Sequence, residues 1–430
     1  MLSEFTVGNF LSFKEKKTLS LAATSIKEHK DTNLIPTERL DLLKGAVVYG
    51  ANASGKSNLI RAMSTMRRLV LKSVELSSTS ELKVTPFLLN TVHADEPSFF
   101  EVVFFLGQVR YRYGFEVTNT LVHSEWLFES RKNTEKQLFI REKDGIQIWK
   151  GFPEGQGLEE KTRENALFLS VVDQFNGALA RRIIQWFTNF IAVSGLSHEQ
   201  YKLVTFKMLE DPETKPLLQD FFNNLDLGFD QIEVTKELFN PDQLPKEMPE
   251  ELIKQLGTDL VGKTMLNFRT SHTRYDENNS PTGTVTFDMR SQESAGSNKI
   301  FNISGPVFDT IKNGGVLMID ELDSSLHPLL TLAITRLFNS KEHNPKNAQL
   351  IFATHDTNLL RLGRFRRDQI YFVEKNNYGA SDLYSLVEYK EESKTVRKDR
   401  SFEKDYIQGR YGAIPFIGNM DKITSRWLEK

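Results

Sequence analysis

The feature that most restricts the fold of this chain is the stretch at residues 50–57, Gly-Ala-Asn-Ala-Ser-Gly-Lys-Ser. The apolar, β-branched residues just before it, at 45–49, predict a buried strand. Just after it, apolar side chains recur at three- or four-residue steps, at Leu59, Met63, Met66 and Val70. That spacing predicts an amphipathic helix. The order strand, glycine loop, helix is the context in which this pattern forms a phosphate-binding loop, so we expect an α/β domain built around it.

The predicted loop carries the groups that a nucleoside triphosphate requires. Its backbone N–H groups and the amino end of the following helix form a cradle for anionic oxygens. We expect Lys56 to reach the β- and γ-phosphates of ATP and Ser57 to ligate Mg²⁺. The competing interpretation, a chance glycine turn, requires both flanking elements to match by accident. The predicted nucleotide-binding residues are Gly50, Asn52, Ala53, Ser54, Gly55, Lys56, Ser57 and Asn58.

A second predicted strand ends in two adjacent carboxylates. Residues 316–319, Val-Leu-Met-Ile, are followed directly by Asp320 and Glu321, which is the form of a Walker B motif. We expect Asp320 to hold Mg²⁺ and Glu321 to act as the general base that polarises the attacking water. Taken alone, a strand that ends in Asp-Glu is equally consistent with an ordinary strand terminus. The P-loop elsewhere in the chain is what favours the catalytic interpretation.

The composition is that of a globular protein and limits its partners. The 430 residues include 39% hydrophobic and 26% charged residues, enough for a core in one enlarged domain or in a domain with an insertion. Lysine plus arginine (55) nearly balance aspartate plus glutamate (57), so no global charge attracts nucleic acid. There is no cysteine, no signal-peptide pattern and no apolar run of roughly 20 residues. We therefore expect a cytoplasmic protein without a membrane partner.

The remaining patterns divide the chain into three parts. Alternating apolar residues within 98–128 predict an antiparallel β-meander, and residues 1–165 are assigned to the amino-terminal part of the domain. Residues 166–285 are predicted to form a mostly helical insertion, without a heptad run long enough for a coiled-coil arm. Residues 286–430 return to strand-then-helix order and complete the domain. The predicted fold class is therefore α/β, with a β-meander and a helical insertion.

Two further motifs resemble those of ABC-type ATPases. Residues 322–328, Leu-Asp-Ser-Ser-Leu-His-Pro, come directly after Glu321 and are similar to a D-loop, in which Asp323 is a nucleotide-site residue. His355 follows the apolar residues 350–353 and resembles the switch histidine that contacts the γ-phosphate in this class. Together with the Walker motifs, these residues identify the chain as similar to the P-loop NTPase heads of the ABC type.

Residues 293–297, Glu-Ser-Ala-Gly-Ser, resemble the shortened signature motif of SMC-like heads. In those heads the serine and the glycine, here Ser294 and Gly296, bind the γ-phosphate of ATP held by a second protomer. The resemblance implies a homodimer with ATP between its two heads, and it leaves larger assemblies open. An ordinary loop is the structural alternative, because Ser-x-Gly is common in loops. The family's Q-loop glutamine is left open between Gln108 and Gln137.

Segments near the two ends of the chain resemble those of smaller groups within this class of ATPases. Residues 9–14 are similar to the opening strand of RecF-like and SMC-like heads. Residues 366–375 and 406–415 are similar to the closing segments of compact bacterial ATPases of the AAA15/AAA21 group, such as the RloA and AbiL type. In such families the ATPase accompanies a separately encoded effector, often a nuclease or another toxin. The resemblance thus implies a sensor or scaffold subunit of an anti-phage, abortive-infection system.

A different role is suggested by four arginines that crowd one short segment, Arg361, Arg364, Arg366 and Arg367. Contacts from these side chains to phosphates would suit a DNA-repair ATPase of the RecF or SMC type that acts directly on DNA. A solvated helix end is the simpler interpretation. A transporter motor is the least consistent role, because the sequence shows no transmembrane partner segment.

Overall fold

The computed structural model describes residues 1–131, 134–238, 263–391, 394–397 and 400–415. Two compact units make up the chain. Unit 1 comprises Met1–Ser197 and Val307–Lys430, and unit 2 comprises His198–Pro306. The unit that interrupts the chain therefore starts later and ends later than the insertion predicted at 166–285.

The strands within the described residues are numbered in chain order. They are β1 (Leu2–Gly8), β2 (Lys17–Ser20), β3 (Leu34–Ile35), β4 (Leu42–Leu43), β5 (Gly45–Gly50), β6 (Ser98–Leu106), β7 (Val109–Val117), β8 (Val122–Ser130), β9 (Glu135–Glu142), β10 (Gly145–Ile148), β11 (Phe190–Ser194), β12 (Gln231–Leu238), β13 (Thr264–Tyr275), β14 (Pro281–Asp288), β15 (Val316–Asp320), β16 (Gln349–Ala353), β17 (Ile370–Lys375), β18 (Ser381–Ser385), β19 (Lys390–Glu391) and β20 (Lys394–Thr395).

The α-helices are numbered in the same way. They are α1 (Lys30–Asn33), α2 (Lys56–Lys72), α3 (Phe168–Gln174), α4 (Ala178–Thr188), α5 (Lys202–Glu210), α6 (Lys215–Asn224), α7 (Met289–Gln292), α8 (Ala295–Asn313), α9 (Pro328–Asn339), α10 (Asn358–Arg361) and α11 (Phe402–Ile407). Within the described part of the chain, no helix combines the length and the apolar character needed to cross a bilayer.

The largest sheet of unit 1 is antiparallel, with the strand order β10-β9-β8-β7-β6-β1-β2. It contains the predicted meander and extends it with strands on both sides. Alternation along β6 and β7 turns Phe100, Phe104 and Tyr113 into the core. Phe104 stacks on Trp186 of α4 with ring centroids 4.3 Å apart, so α4 packs against this sheet.

The second sheet of unit 1 has the order β11-β15-β16-β5-β17-β18 and is parallel except for its edge strand β18. Its central strands are continuous buried apolar runs, as expected for strands covered on both faces. Parallel strands bring their carboxyl ends to one edge. Residues that follow β5, β15 and β16 therefore lie together there, where ligands bind in open α/β sheets.

Helix α2 confirms the predicted apolar spacing. Leu59, Met63, Met66 and Val70 are all buried, and α2 contacts strands of both sheets of unit 1. Burying each such side chain contributes roughly 1.5–3 kcal/mol before the entropy of ordering is subtracted. This packing fixes the amino end of α2, where the glycine loop joins it.

Unit 2 differs from the predicted helical insertion in its sheet and in its bounds. It contains α5 and α6, but also an antiparallel sheet of three strands in the order β12-β13-β14. Most of β14 is exposed, and only Val285 and Phe287 alternate with polar residues, which is a weak signal for a strand. The first part of the segment predicted at 166–285 belongs to unit 1 and not to unit 2. It contains α3, α4 and β11, and β11 pairs with β15 in the parallel sheet of unit 1. Residues 239–262 of the predicted insertion lie outside the described residues.

The segment at residues 9–14 is a tight turn and not a strand. The opening strand is β1, and Asn9 (φ 45) and Leu11 (φ 50) that follow it have left-handed backbones. Phe10 and Phe13 pair across the turn through reciprocal backbone hydrogen bonds of 2.9 and 2.8 Å. The turn brings Ser12 against the glycine loop, which a continuing strand would not do.

Candidate functional site

The predicted phosphate-binding loop lies where β5 gives way to α2. Two of its glycines are required by close contacts. A Cβ atom at Gly50 would lie 2.4 Å from the carbonyl oxygen of Val373, and one at Gly55 would lie 2.3 Å from Ser381 Oγ. Gly55 also has a φ of 119°, which side chains other than glycine rarely adopt. The neighbouring strands therefore hold the loop in one shape.

Lys56 is buried at the first position of α2 and folds back along the loop. Its Nζ donates hydrogen bonds of 2.8 Å to Gly50 O and 3.0 Å to Ala51 O. Burial lowers the pKa of Lys56, and the carboxylates of Asp320, Glu321 and Asp323 act in the opposite direction. The ammonium group therefore lies within the field of all three acidic groups, as expected if they form one site.

A hydrogen-bond network that the sequence did not predict supports the loop from outside. Ser381 Oγ donates to the carbonyl oxygen of Ser54 at 2.5 Å and lies within hydrogen-bond distance, 2.8 Å, of Ser12 Oγ, whose hydroxyl can donate to it. Asn58 Nδ2 donates to Ser12 Oγ at 2.8 Å. Ser12 lies in the turn after β1 and Ser381 begins β18, so distant parts of the chain meet at the loop. Nothing in the local sequence around Ser381 indicates this role.

The two carboxylates of the Walker B pattern stand at the carboxyl end of β15. Asp320 is the last residue of the strand, and its Oδ1 is buried without a hydrogen-bond partner among the described residues. Glu321 follows with a φ of 51°, a left-handed conformation that costs about 1–3 kcal/mol for a residue other than glycine. The sharp change of direction sends the chain from the strand directly into the turn at 322–327.

The residues after β16 and the D-loop-like turn meet each other. The His355 N–H donates to Asp323 Oδ2 at 3.2 Å, while Asp323 Oδ1 is buried without a partner in the described ranges. Burial and the positive charge of Lys56 lower the pKa of His355, and nearby carboxylates oppose this. The imidazole is therefore neutral near pH 7. Helix α9 begins with Pro328 in its first turn, as the sequence indicated.

These residues open into one cavity of about 780 Å³, large enough for a nucleotide. Its walls are residues 52–58, Glu321, His355 and Lys375. The sequence did not predict Lys375, although its position at the carboxyl end of β17, a parallel neighbour of β5, was the signal that could have found it. The cavity thus combines a loop of backbone N–H groups with cationic and acidic side chains.

The donors of this site fit Mg²⁺. A buried carboxylate oxygen without a partner, as in Asp320, is costly unless a cation or a donor binds it. Carboxylate and hydroxyl oxygens, combined with phosphate oxygens, are the ligands Mg²⁺ prefers. Asp320 and Ser57, which lies on the cavity wall, are the residues that would hold the ion.

Ser294 and Gly296, from the signature-like motif, lie at the amino end of α8 and belong to unit 2. Ser294 Oγ accepts the N–H of Ser297 at 3.0 Å, so Ser294 caps the helix in the manner typical of serine. Neither Gln108, in the turn between β6 and β7, nor Gln137, in β9, lines the cavity described above.

The arginine segment is partly structural. Arg366 is fully buried and pairs with Asp368 at 2.8 Å, and Arg367 pairs with Glu28 at 2.9 Å. The interpretation as a solvated helix end is therefore wrong for these two side chains. Both are also committed to internal partners and are not placed to contact nucleic acid.

Comparison with known proteins adds one finding. The family model described as "AAA domain, putative AbiEii toxin, Type IV TA system" matches residues 46–361. The matched segment starts in β5 and ends with α10, so it includes the glycine loop, the carboxylates after β15 and His355. No curated protein matches the chain.

Proposed function

The chain belongs to this family of AAA domains, which are nucleotide-binding ATPases, and we propose that it hydrolyses ATP in the cavity formed by the P-loop and the ends of β15 and β16. The observation that carries the proposal is the arrangement of charges. The carboxylates of Asp320, Glu321 and Asp323 raise the pKa of Lys56 against the effect of burial. Asp320 also has a buried carboxylate oxygen without a hydrogen-bond partner among the described residues. An anion beside the lysine and a cation beside Asp320 would satisfy both groups.

The roles of the residues follow from their surroundings. Lys56 exchanges the carbonyl oxygens of Gly50 and Ala51 for phosphate oxygens. Glu321, one residue beyond Asp320, orients the attacking water and accepts its proton at the carboxylate. His355, neutral near pH 7, donates a ring N–H to the γ-phosphate. Ser57 and Asp320 would hold Mg²⁺, which when bound would supply positive charge beside the phosphoryl group.

Replacement of the base tests this assignment. In Glu321→Gln we expect ATP binding to persist and turnover to fall by about 100-fold or more, because general-base catalysis contributes that much. Phosphate release gives the turnover, and calorimetry gives the affinity. The matched control is Glu342→Gln, which changes an exposed glutamate outside the cavity and should behave as the wild type. Hydrolysis at the wild-type rate in Glu321→Gln would refute the catalytic role.

We further propose that two heads dimerise around ATP through Ser294 and Gly296. Their position at the amino end of the long helix α8 supports this, because such ends favour anions. Dimerisation would make the assembly depend on nucleotide, and assemblies larger than two heads are compatible with it. Glu321→Gln should then accumulate as the ATP-bound dimer.

For the biological role we propose a cytoplasmic sensor or scaffold that controls a separate nuclease or toxin in abortive infection. The family description, which names a toxin and a toxin–antitoxin system, supports a role of this kind. Co-expression with the product of the adjacent gene tests it: the two should co-purify and together protect cells against phage. Growth arrest by this chain alone would instead make the chain itself the toxin, and unchanged phage sensitivity after deletion would remove the proposal.

A further inference from the structure

The carboxyl end of β11 lies directly against the backbone that carries Glu321. The Gly195 N–H, one residue beyond the strand, donates to Asp320 O at 2.7 Å. A Cβ atom on Gly195 would lie 2.2 Å from Glu321 O and 2.5 Å from Asp320 O. The backbone of Gly195 is not left-handed, so its conformation does not require glycine. The position requires glycine because there is no room for a side chain.

The left-handed backbone of Glu321 is held from three directions. The Ser324 N–H donates to Glu321 O at 3.2 Å, and the Leu322 N–H donates to Ala353 O at 3.2 Å. Gly195 closes the third side, where the space that a Cβ would need is taken by Glu321 O. Ser324 Oγ in turn donates to Gly195 O at 3.2 Å, which ties the end of β11 to the same turn.

We infer that Gly195 is a positioning residue for hydrolysis: its lack of a side chain lets β11 approach the Glu321 peptide and aim the carboxylate into the cavity. This inference rests on the proposed role of Glu321 as the base. The three atoms nearest to a Cβ on Gly195 all belong to the backbone, so none of them can swing away as a flexible side chain would. The backbone on one side of this contact must therefore shift, and any shift of the Glu321 peptide displaces its carboxylate as well.

The size of the effect follows from the contact. Relieving a 2.2 Å approach requires a shift of about 1 Å, and a misplacement of that size can lower a catalytic rate about 100-fold. The P-loop lies between β5 and α2, and none of its residues is among the atoms nearest to a Cβ on Gly195. We therefore expect Gly195→Ala to lower kcat about 100-fold while the affinity for ATP is unchanged.

The chain offers a matched control at the opposite end of the same strand pair. A Cβ atom on Gly315 would lie 2.3 Å from Asn189 O, so Gly315→Ala introduces the same kind of backbone clash between β11 and β15. Gly315 precedes Val316, whereas the carboxylates follow at the far end of β15. If the clash only loosened the strand pair, both variants would lose activity alike. We expect Gly315→Ala to keep a kcat close to that of the wild type.

A smaller change covers the case in which Gly195→Ala does not fold. Ser324→Ala removes the hydroxyl that donates to Gly195 O and adds no volume. We expect it to lower kcat by about fivefold, since a hydrogen bond of this kind contributes about 1 kcal/mol, with ATP affinity unchanged. A thermal melt of each variant establishes that it is folded.

Combination with Glu321→Gln gives the deciding measurement. If Gly195 acts through Glu321, Gly195→Ala should cause no further loss of turnover in the Glu321→Gln background. Three results would overturn the inference and leave the ATPase proposal intact. The first is a double variant in which the losses of Gly195→Ala and Glu321→Gln multiply. The others are equal losses of turnover in Gly195→Ala and Gly315→Ala, and wild-type turnover in both Gly195→Ala and Ser324→Ala. Wild-type turnover in Glu321→Gln would overturn the base assignment itself.

Discussion

Lys56 donates to two carbonyl oxygens of its own loop and lies among three carboxylates. Its replacement should therefore act on binding. In Lys56→Ala we expect the dissociation constant for ATP to rise about 10- to 100-fold, the equivalent of a lost hydrogen bond to a charged group at about 1.5–3 kcal/mol. Calorimetry measures this.

The control for that variant is Lys72→Ala, at the other end of the same helix. Lys72 is exposed and pairs with Glu75 at 2.8 Å, an interaction that contributes at most about 1 kcal/mol to stability. Loss of this ion pair in Lys72→Ala should leave the affinity for ATP unchanged. Normal affinity in Lys56→Ala would contradict the assignment of the P-loop.

Left-handed residues other than glycine recur in the loops of the site. Ala53, Glu321 and Ser325 have φ values of 61°, 51° and 60°. Such conformations cost about 1–3 kcal/mol each and persist where the surroundings determine them. At Glu321 those surroundings are the contacts with Gly195, Ser324 and Ala353.

Strand β18 supports the P-loop although it contributes no residue to the cavity wall. Ser381→Ala removes the hydrogen bonds to Ser54 O and Ser12 Oγ. We expect ATP affinity to fall about fivefold, since one such bond contributes about 1 kcal/mol and the loop loses a support. Ser385→Ala, a buried serine at the far end of the same strand, should leave affinity unchanged. Equal affinity in both variants would show that the loop keeps its shape without Ser381.

Assembly is the property of the whole molecule that the proposal depends on. Ser294→Arg should block the surface at the start of α8, so that ATP still binds but no dimer forms. Light scattering with ATP on the Glu321→Gln background measures this. Ser280→Arg adds the same charge at an exposed turn between β13 and β14 and should dimerise normally. Dimers of the Ser294→Arg protein would disprove the proposed interface.

The charge of the whole chain bears on the alternative role in DNA repair. The formal net charge is −2, and two of the four clustered arginines are committed to Asp368 and Glu28. The described residues thus give that role no specific support. Stimulation of the ATPase by DNA would be the result in its favour.

The parts of the site that the sequence predicts are local. The loop at 50–57, the carboxylates at 320–321 and His355 each follow a buried strand within a few residues, and short-range apolar patterns reveal such strands. The parallel sheet then brings these residues to one edge. The family match over residues 46–361 agrees with this part of the prediction.

The contacts that join distant parts of the chain could not be read from local patterns and are visible only in the folded molecule. Ser12 meets Ser381 across 369 residues, and Gly195 meets the Glu321 backbone across two different strands. The three-stranded sheet of unit 2 was also missed from the sequence, because its alternating apolar positions are few, such as Ile232 and Val234 in β12 and Val285 and Phe287 in β14. A local sequence pattern reflects how a residue is buried within its own helix or strand. The contacts that position a catalytic group depend instead on which helices and strands pack together.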